Sequence, residues 1–176
     1  MTSILQVTPD QTSRLAEIGE LTALAYLADG LVDPAHPYVP ELKDAAARAQ
    51  HAILLMMTEG ADGQGTVLGT ITVVAAGTQF SELAQEGEFE LRMLAVSPLA
   101  RGKGVGRTLA TAAIERARQE GASRIVLSTM ENMTIAHGLY ERLGFVREES
   151  RDWTVSAHEE PHAAVRLLAF TRDASV

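Results

Sequence analysis

Leu94-Ala95-Val96-Ser97-Pro98-Leu99-Ala100-Arg101-Gly102-Lys103-Gly104-Val105-Gly106-Arg107 is the stretch on which the fold turns. A strand-like run from Glu88 to Val96 ends at Pro98, and a loop then carries glycines at 102, 104 and 106 into an amphipathic segment. From Gly104 to Glu120, Val105, Leu109, Ala113 and Ala117 recur at helical spacing. Arg107, Thr111, Glu115 and Arg118 form the opposite, wet stripe, and Gly121 stands where a left-handed residue ends a helix. Strand, glycine loop and helix in that order build an anion seat. The first N–H groups of a helix lack intrahelical partners and carry the positive end of its dipole. Glycine adds positive φ and close backbone approach. Arg101, Lys103 and Arg107 make this loop basic in a chain with 15 Lys+Arg against 23 Asp+Glu.

Spacing excludes two other phosphate motifs. A dinucleotide fingerprint beginning at Gly102 would need glycine where Arg107 stands, and no Gly-Lys-Ser/Thr of a Walker A loop exists. The net charge of -8 argues against nucleic acid as a partner, since phosphate backbones demand a basic surface. With no cysteine, disulfides, thiolate metal sites and cysteine nucleophiles are excluded. The start, Met1-Thr2-Ser3-Ile4, is not that of a signal peptide, and the run Ala52–Met57 is too short to cross a bilayer. The expectation is one soluble, cytoplasmic domain over residues 1–176, with no membrane partner.

Outward from the loop, Ser3–Thr8 reads as a strand and Gln11–Ala28 as a helix, followed by a proline-rich loop over Asp33–Pro40 and a second helix from about Glu41 to Gln50. His51–Thr58 and Thr66–Ala76 read as strands, as do Ser123–Thr129, Phe145–Val155 and Val165–Thr171, and Asn132–Leu143 reads as a helix stopped by Gly144. The order is β-α-α-β-β-β-α-β-α-β-β, an α/β or α+β domain with a mixed sheet.

Arg101-Gly102-Lys103-Gly104-Val105-Gly106 resembles the Arg/Gln-x-x-Gly-x-Gly/Ala pyrophosphate motif of the GNAT acyltransferase superfamily, and Leu139-Tyr140-Glu141-Arg142-Leu143-Gly144-Phe145 resembles its L-Y-x-x-x-G-F signature. The resemblance implies a GNAT fold, a mixed and mostly antiparallel sheet of about seven strands flanked by about four helices. It implies acetyl-CoA as cofactor, with coenzyme A as product and no metal. The backbone of Leu94, Ala95 and Val96 would hold the pantetheine arm, and Arg101, Gly102, Lys103, Gly104, Val105, Gly106 and Arg107 the pyrophosphate. Many members carry an asparagine seven positions before the tyrosine, where this chain has Met133 and places Asn132 one step earlier.

The implied reaction moves an acetyl group to a primary amine through a tetrahedral intermediate. A lysine-like ammonium of pKa ~10.4 costs about 4.6 kcal/mol to deprotonate at pH 7, an α-amine near ~8 about 1.4 kcal/mol. A phenol stays protonated at neutral pH, so Tyr140, set beside the coenzyme sulfur by resemblance, is the candidate acid. Strict strand alternation puts Glu90, Arg92, Leu94 and Val96 on one face. The resemblance, in which a glutamate in this part of the strand acts as base directly or through water, makes Glu90 the candidate base, and Arg92 two residues on makes it alternatively half of a Glu90–Arg92 pair. Asp152, Glu131 and His137 are weaker bases, and a backbone N–H near Leu94 is the oxyanion donor by resemblance. By resemblance the loop between the first two helices borders the acceptor pocket, which makes His36, Tyr38 and nearby Tyr26 its candidate walls, with Trp153 on the penultimate strand as another. His158-Glu159-Glu160-Pro161-His162 matches H-E-x-x-H in letters only, because Pro161 breaks the helical turn that would stack the histidines. The rival function is a non-catalytic acyl-CoA-binding regulatory module. The acceptor, a small-molecule or protein amine, is not readable, and the sequence leaves a homodimer open.

Overall fold

The apolar run Ile53–Glu59 forms β2, whose residues Leu54 to Thr58 are all buried, because the strand lies inside the sheet with helices over both faces. The computed structural model describes residues 1–155 and 164–175. β2 pairs antiparallel with β1 (Thr2–Val7) on one side and β3 (Val67–Ala75) on the other. β3 pairs antiparallel with β4 (Glu88–Val96), and β4 pairs in parallel with β5 (Arg124–Met130). β8 (Val165–Asp173) runs antiparallel to β5, and its other edge carries β6 (Val146–Arg147) and β7 (Trp153–Val155). The sheet has eight strands, antiparallel but for the β4–β5 pair.

One face of this sheet is covered by α1 (Thr12–Ala28), α2 (Val39–Lys43) and α3 (Ala45–His51), the other by α4 (Val105–Gln119) and α5 (Thr134–Arg142). α4 seats Val105, Leu109, Ala113 and Ala117 on Leu55, Ile71, Val73 and Leu91, the stripe that its periodicity predicts. Opposite it, Leu15 and Ile18 of α1 meet Leu54 and Met56, while Ala23, Val39 and Leu42 close over Met93.

Two predicted elements are broken in the structure, each by an aspartate. The helix expected over 41–50 is two helices, α2 and α3. Asp44 leaves helical geometry at ψ 66° and accepts the Ala47 N–H, so it caps α3 and ends α2. Buried Arg48 then donates to the carbonyls of Glu41 and Leu42 that the break exposes. The strand expected over 145–155 is β6 and β7 separated by a 3-10 turn at Glu149–Arg151. There Asp152 accepts the Ala169 N–H, taking over a ladder bond that a continuous strand would have made.

Candidate active site

β4 and β5 exchange register only over Glu88↔Arg124, Phe89↔Ile125 and Glu90↔Val126, although both strands run on. Beyond Glu90 they splay, and residues 91–96 face the gap. Met93 lies in this stretch at φ 53°, a left-handed conformation that costs a non-glycine residue about 1–2 kcal/mol. The β3–β4 register slips there, from Thr72↔Arg92 to Thr70↔Ala95. This bulge overturns strict alternation. Arg92 and Met93 both face α1 and α2, whereas Leu94 and Val96 join Leu91 on the α4 face. The two strands are therefore parted, and β4's ladder is interrupted, beside the residue expected to donate to an oxyanion.

The splay leads to the glycine loop. Gly102 and Gly104 adopt φ 75° and 80°, and a Cβ on either would project into open space, so these glycines serve conformation and approach. Gly104 is the left-handed N-cap of α4, and its carbonyl accepts the Thr108 N–H, leaving the first-turn N–H groups to point outward. Gly106 does different work: a Cβ there would sit 3.5–3.9 Å from Val96, Leu139 and Leu94, ordinary contact at the join of β4, α4 and α5. Gly69 decides how closely α4 sits on the sheet, since its Cβ would lie 2.7 Å from the Ala95 carbonyl oxygen and 2.9 Å from Leu109. Arg101, Lys103 and Arg107 are exposed around the loop, and Arg101 reaches Asp29 at 2.6 Å, tying the loop to the end of α1. Open glycines, outward N–H groups and three cations fit the diphosphate of an acyl-coenzyme A.

Tyr140 enters from α5. It is 8% exposed, its ring meets Phe145 edge-on at 5.8 Å, and burial and then nearby Tyr26 push its phenol above the ordinary value, with no hydrogen bond contributing. Tyr26 in turn stacks edge-on against Tyr38 at 6.2 Å. Tyr38 Oη accepts from Arg92 Nη2 at 3.2 Å, so Tyr26, Tyr38 and Arg92 form one chain of neighbours on the α1–α2 side of β4.

Residues 18–145 match the acetyltransferase (GNAT) family. The chain belongs to that family. It is 31% identical over 135 residues to the uncharacterized N-acetyltransferase YjgM of Escherichia coli, covering 76% of this chain and 72% of the relative. It is 38% identical over 93 residues to N-acetylaspartate synthetase of Danio rerio, a match spanning 52% of this chain and only 30% of that protein. The fold is shared with yncA of Salmonella typhimurium, solved with its cofactor acetyl-CoA, at a TM-score of 0.69 and 20% identity over 98% of this chain and 94% of the other. The ribosomal-protein-S18-alanine N-acetyltransferase of Escherichia coli superposes equally well, at 0.69 and 17% identity over 100% and 96%.

Within this GNAT frame the remaining candidates separate. Glu90 is 0% exposed; its Oε2 accepts the N–H groups of Glu82, Leu83 and Ala84 at 2.9, 2.9 and 3.2 Å, and its Oε1 has no partner among the described residues. A carboxylate so enclosed holds a loop rather than meeting a substrate. Nor does Glu90 pair with Arg92, whose carboxylate partners are Glu82 at 2.9 Å and Glu41 at 3.6 Å. Asp152 is gripped by both Nη atoms of Arg147 at 2.7 and 2.6 Å, which holds its carboxyl down at about 2 and weakens it as a proton acceptor. Glu131 pairs with Arg166, and His137 Nε2 bonds Thr129 and the Met130 carbonyl. Trp153 pairs across to Leu167 on β8, and its buried indole Nε1 has no partner among the described residues. Met133 begins α5 as its N-cap residue. His158 and His162 lie outside the described residues. No helix among the described residues is long and apolar enough to cross a membrane. Glu82 and Glu41 carry no motif of their own; the one hint is an acidic run, Glu82, Glu86, Glu88 and Glu90, leading into a strand that bears Arg92.

Proposed function

We propose that this acetyltransferase is an N-acetyltransferase that moves the acetyl group of acetyl-CoA to a primary amine of a small molecule or protein by direct attack. The observation that carries the reading is the β4–β5 splay running from a left-handed bulge at Met93 into the glycine N-terminus of α4, with Tyr140 on the neighbouring helix. Acetyl-CoA would supply an activated thioester. The chain's own residues do the rest. Outward N–H groups of the Gly102–Arg107 segment, with Lys103 and Arg107, bind the diphosphate, and the backbone of Leu94, Ala95 and Val96 orients the arm. An N–H at the bulge donates to the oxygen that gains charge. Tyr140, kept neutral by burial, donates its hydroxyl proton toward the departing sulfur.

Two measurements test this together. Coenzyme A release is followed across a panel of small amines and peptide N-termini, and acetyl-CoA binding is measured by calorimetry on wild type and Gly104→Glu. The expected outcome is turnover of at least one amine and loss of binding in the folded variant, because a carboxylate would occupy the anion seat. Unchanged affinity in Gly104→Glu would remove the loop from the site. Tight binding without turnover of any amine would favour a regulatory acyl-CoA module.

A further inference from the structure

The segment 80–87 before β4 is held by an unusual number of buried or half-buried charges. Arg92 Nη1 donates to the Phe80 carbonyl at 2.8 Å, and Glu90 takes the N–H groups of residues 82–84. Glu88 accepts the Gln85 N–H at 2.9 Å, and Arg151, itself paired with Glu88, donates to the Leu83 carbonyl at 2.7 Å. Burying charge is costly unless the groups are paired and hydrogen-bonded, and these four side chains direct their bonds onto this one loop, which fixes its backbone. What it presents is Glu82.

Glu82 keeps 35% of its side chain exposed, while its partner Arg92 keeps 9%. Its Oε1 lies 2.9 Å from Arg92 Nη2, and its Oε2 takes no hydrogen bond from any described residue. Arg92 stands immediately before the Met93 bulge, on the α1–α2 face where Tyr26, Tyr38 and Glu41 converge. A partly exposed carboxylate is thus fixed beside the splayed strand, at the face opposite α4. Glu90, which sequence reasoning brings forward as a base, is the residue that fixes it.

The geometry points to Glu82 as the general base toward the acceptor amine and to Glu90 as its positioning residue; this deepens the N-acetyltransferase reading and rests on it. In the step, one proton leaves the ammonium nitrogen for Glu82 Oε2, giving a neutral amine and a carboxylic acid. The freed lone pair forms the C–N bond while the carbonyl π electrons move to oxygen, and as they return the thioester C–S bond breaks. The second nitrogen proton replaces the one that Tyr140 gives to sulfur, and Glu82 returns its own to solvent. Burial raises the Glu82 carboxyl, Glu90 and Glu41 raise it further, and Arg92 opposes them, while Tyr38 and Tyr26 complete the ionisable surroundings. A raised carboxyl is a better base than an ordinary glutamate of pKa ~4.3.

The test uses the full chain. In wild type, Glu82→Gln, Glu82→Asp, Glu90→Gln and Glu90→Ala, kcat/KM is followed against pH for an alkylamine of pKa ~10, and ¹³C NMR titrates the glutamate carboxyls. Glu82→Gln should lower kcat about 10²-fold and erase the acidic limb of the profile, with acetyl-CoA affinity unchanged. Glu82→Asp should recover part of the rate. The Glu82 carboxyl should titrate above the exposed glutamates in wild type and fall toward them in Glu90→Gln, whose amide oxygen still accepts the loop N–H groups but carries no charge. Glu90→Ala, which frees the loop and so unseats Glu82, should lose the limb although the Glu82 carboxyl is still present. A Glu82→Gln enzyme with wild-type kcat and profile, or a Glu82 carboxyl that titrates ordinarily, overturns this assignment alone. A wild type that releases no coenzyme A with any amine overturns the N-acetyltransferase reading, and this assignment with it.

Discussion

Tyr140 and the loop glycines each ask for something only their own side chain, or lack of one, supplies. In the proposed reaction a buried phenol lifted above its ordinary value would give its proton to a thiolate, a group of pKa ~8.5, uphill. The transfer would then lag behind departure of the sulfur, so the loss on removing the hydroxyl belongs at the low end of the range for a positioned acid. Tyr140→Phe keeps the contact with Phe145, so the melting temperature and acetyl-CoA affinity should hold while kcat falls about 10²-fold. A wild-type rate in Tyr140→Phe, with only a stability loss in Tyr140→Ala, would make Tyr140 a core residue. The glycines differ among themselves. Gly104→Ala forces a Cβ into φ 80°, costing about 1–2 kcal/mol, whereas Gly106 sits in helical geometry with room for a methyl. Gly106→Ala should bind acetyl-CoA as wild type does and unfold at the same denaturant concentration; a large loss of either would mean that α4 cannot yield at its first turn.

Among the elements, the contact of α4 with the sheet sets where the anion seat lies. Gly69→Ala places a methyl against the Ala95 carbonyl oxygen, which is backbone and cannot swing away. The variant should lose about 1–3 kcal/mol of stability and also bind acetyl-CoA more weakly, since α4 must lift from β3. Calorimetry that finds weaker folding with unchanged affinity would separate the seat from the sheet. β4 and α4 were legible in the sequence because their signals are local: an apolar run bounded by turn residues, and a stripe ended by Gly121. The Met93 bulge was not, since no residue type there announces a left-handed φ, and it turned the expected common face of Arg92 and Leu94 into opposite faces. The Glu41–Glu82–Arg92–Tyr38 cluster was hidden for a different reason. Its members come from α2, the residue before it, the 80–87 segment and β4, and only the folded sheet brings them together. The motif residues could be read because backbone conformation marks them, whereas the Arg92 cluster is a product of tertiary contact.

At the scale of the whole molecule, the end of the chain is stitched to the rest through Asp152. Its carboxylate takes both Nη atoms of Arg147, Arg166 Nη2 at 2.9 Å and the Ala169 N–H at 2.9 Å, with 10% of the side chain exposed. It thereby links β6, β7 and β8. Charge-assisted hydrogen bonds of this kind contribute about 1.5–3 kcal/mol, so Asp152→Asn should lower the melting temperature by roughly 3–12 °C at pH 7 for a domain of this size. Arg147 holds the folded carboxyl at about 2, below its ordinary 3.8. A depressed carboxyl adds stability that is complete above the unfolded value and drains away as pH falls through the folded one. The gap between wild type and Asp152→Asn should therefore be the same at pH 7 and pH 5, narrow below pH ~4 and be smallest near pH ~2. Thermal melts across that range measure it directly. A gap as wide at pH ~2 as at pH 7 would mean that Asp152 works by shape and its bond to Ala169, with the paired charge contributing nothing; a gap that widened on acidification would mean that its carboxyl is raised in the fold, and that the grip of Arg147 is not what holds the three strands together.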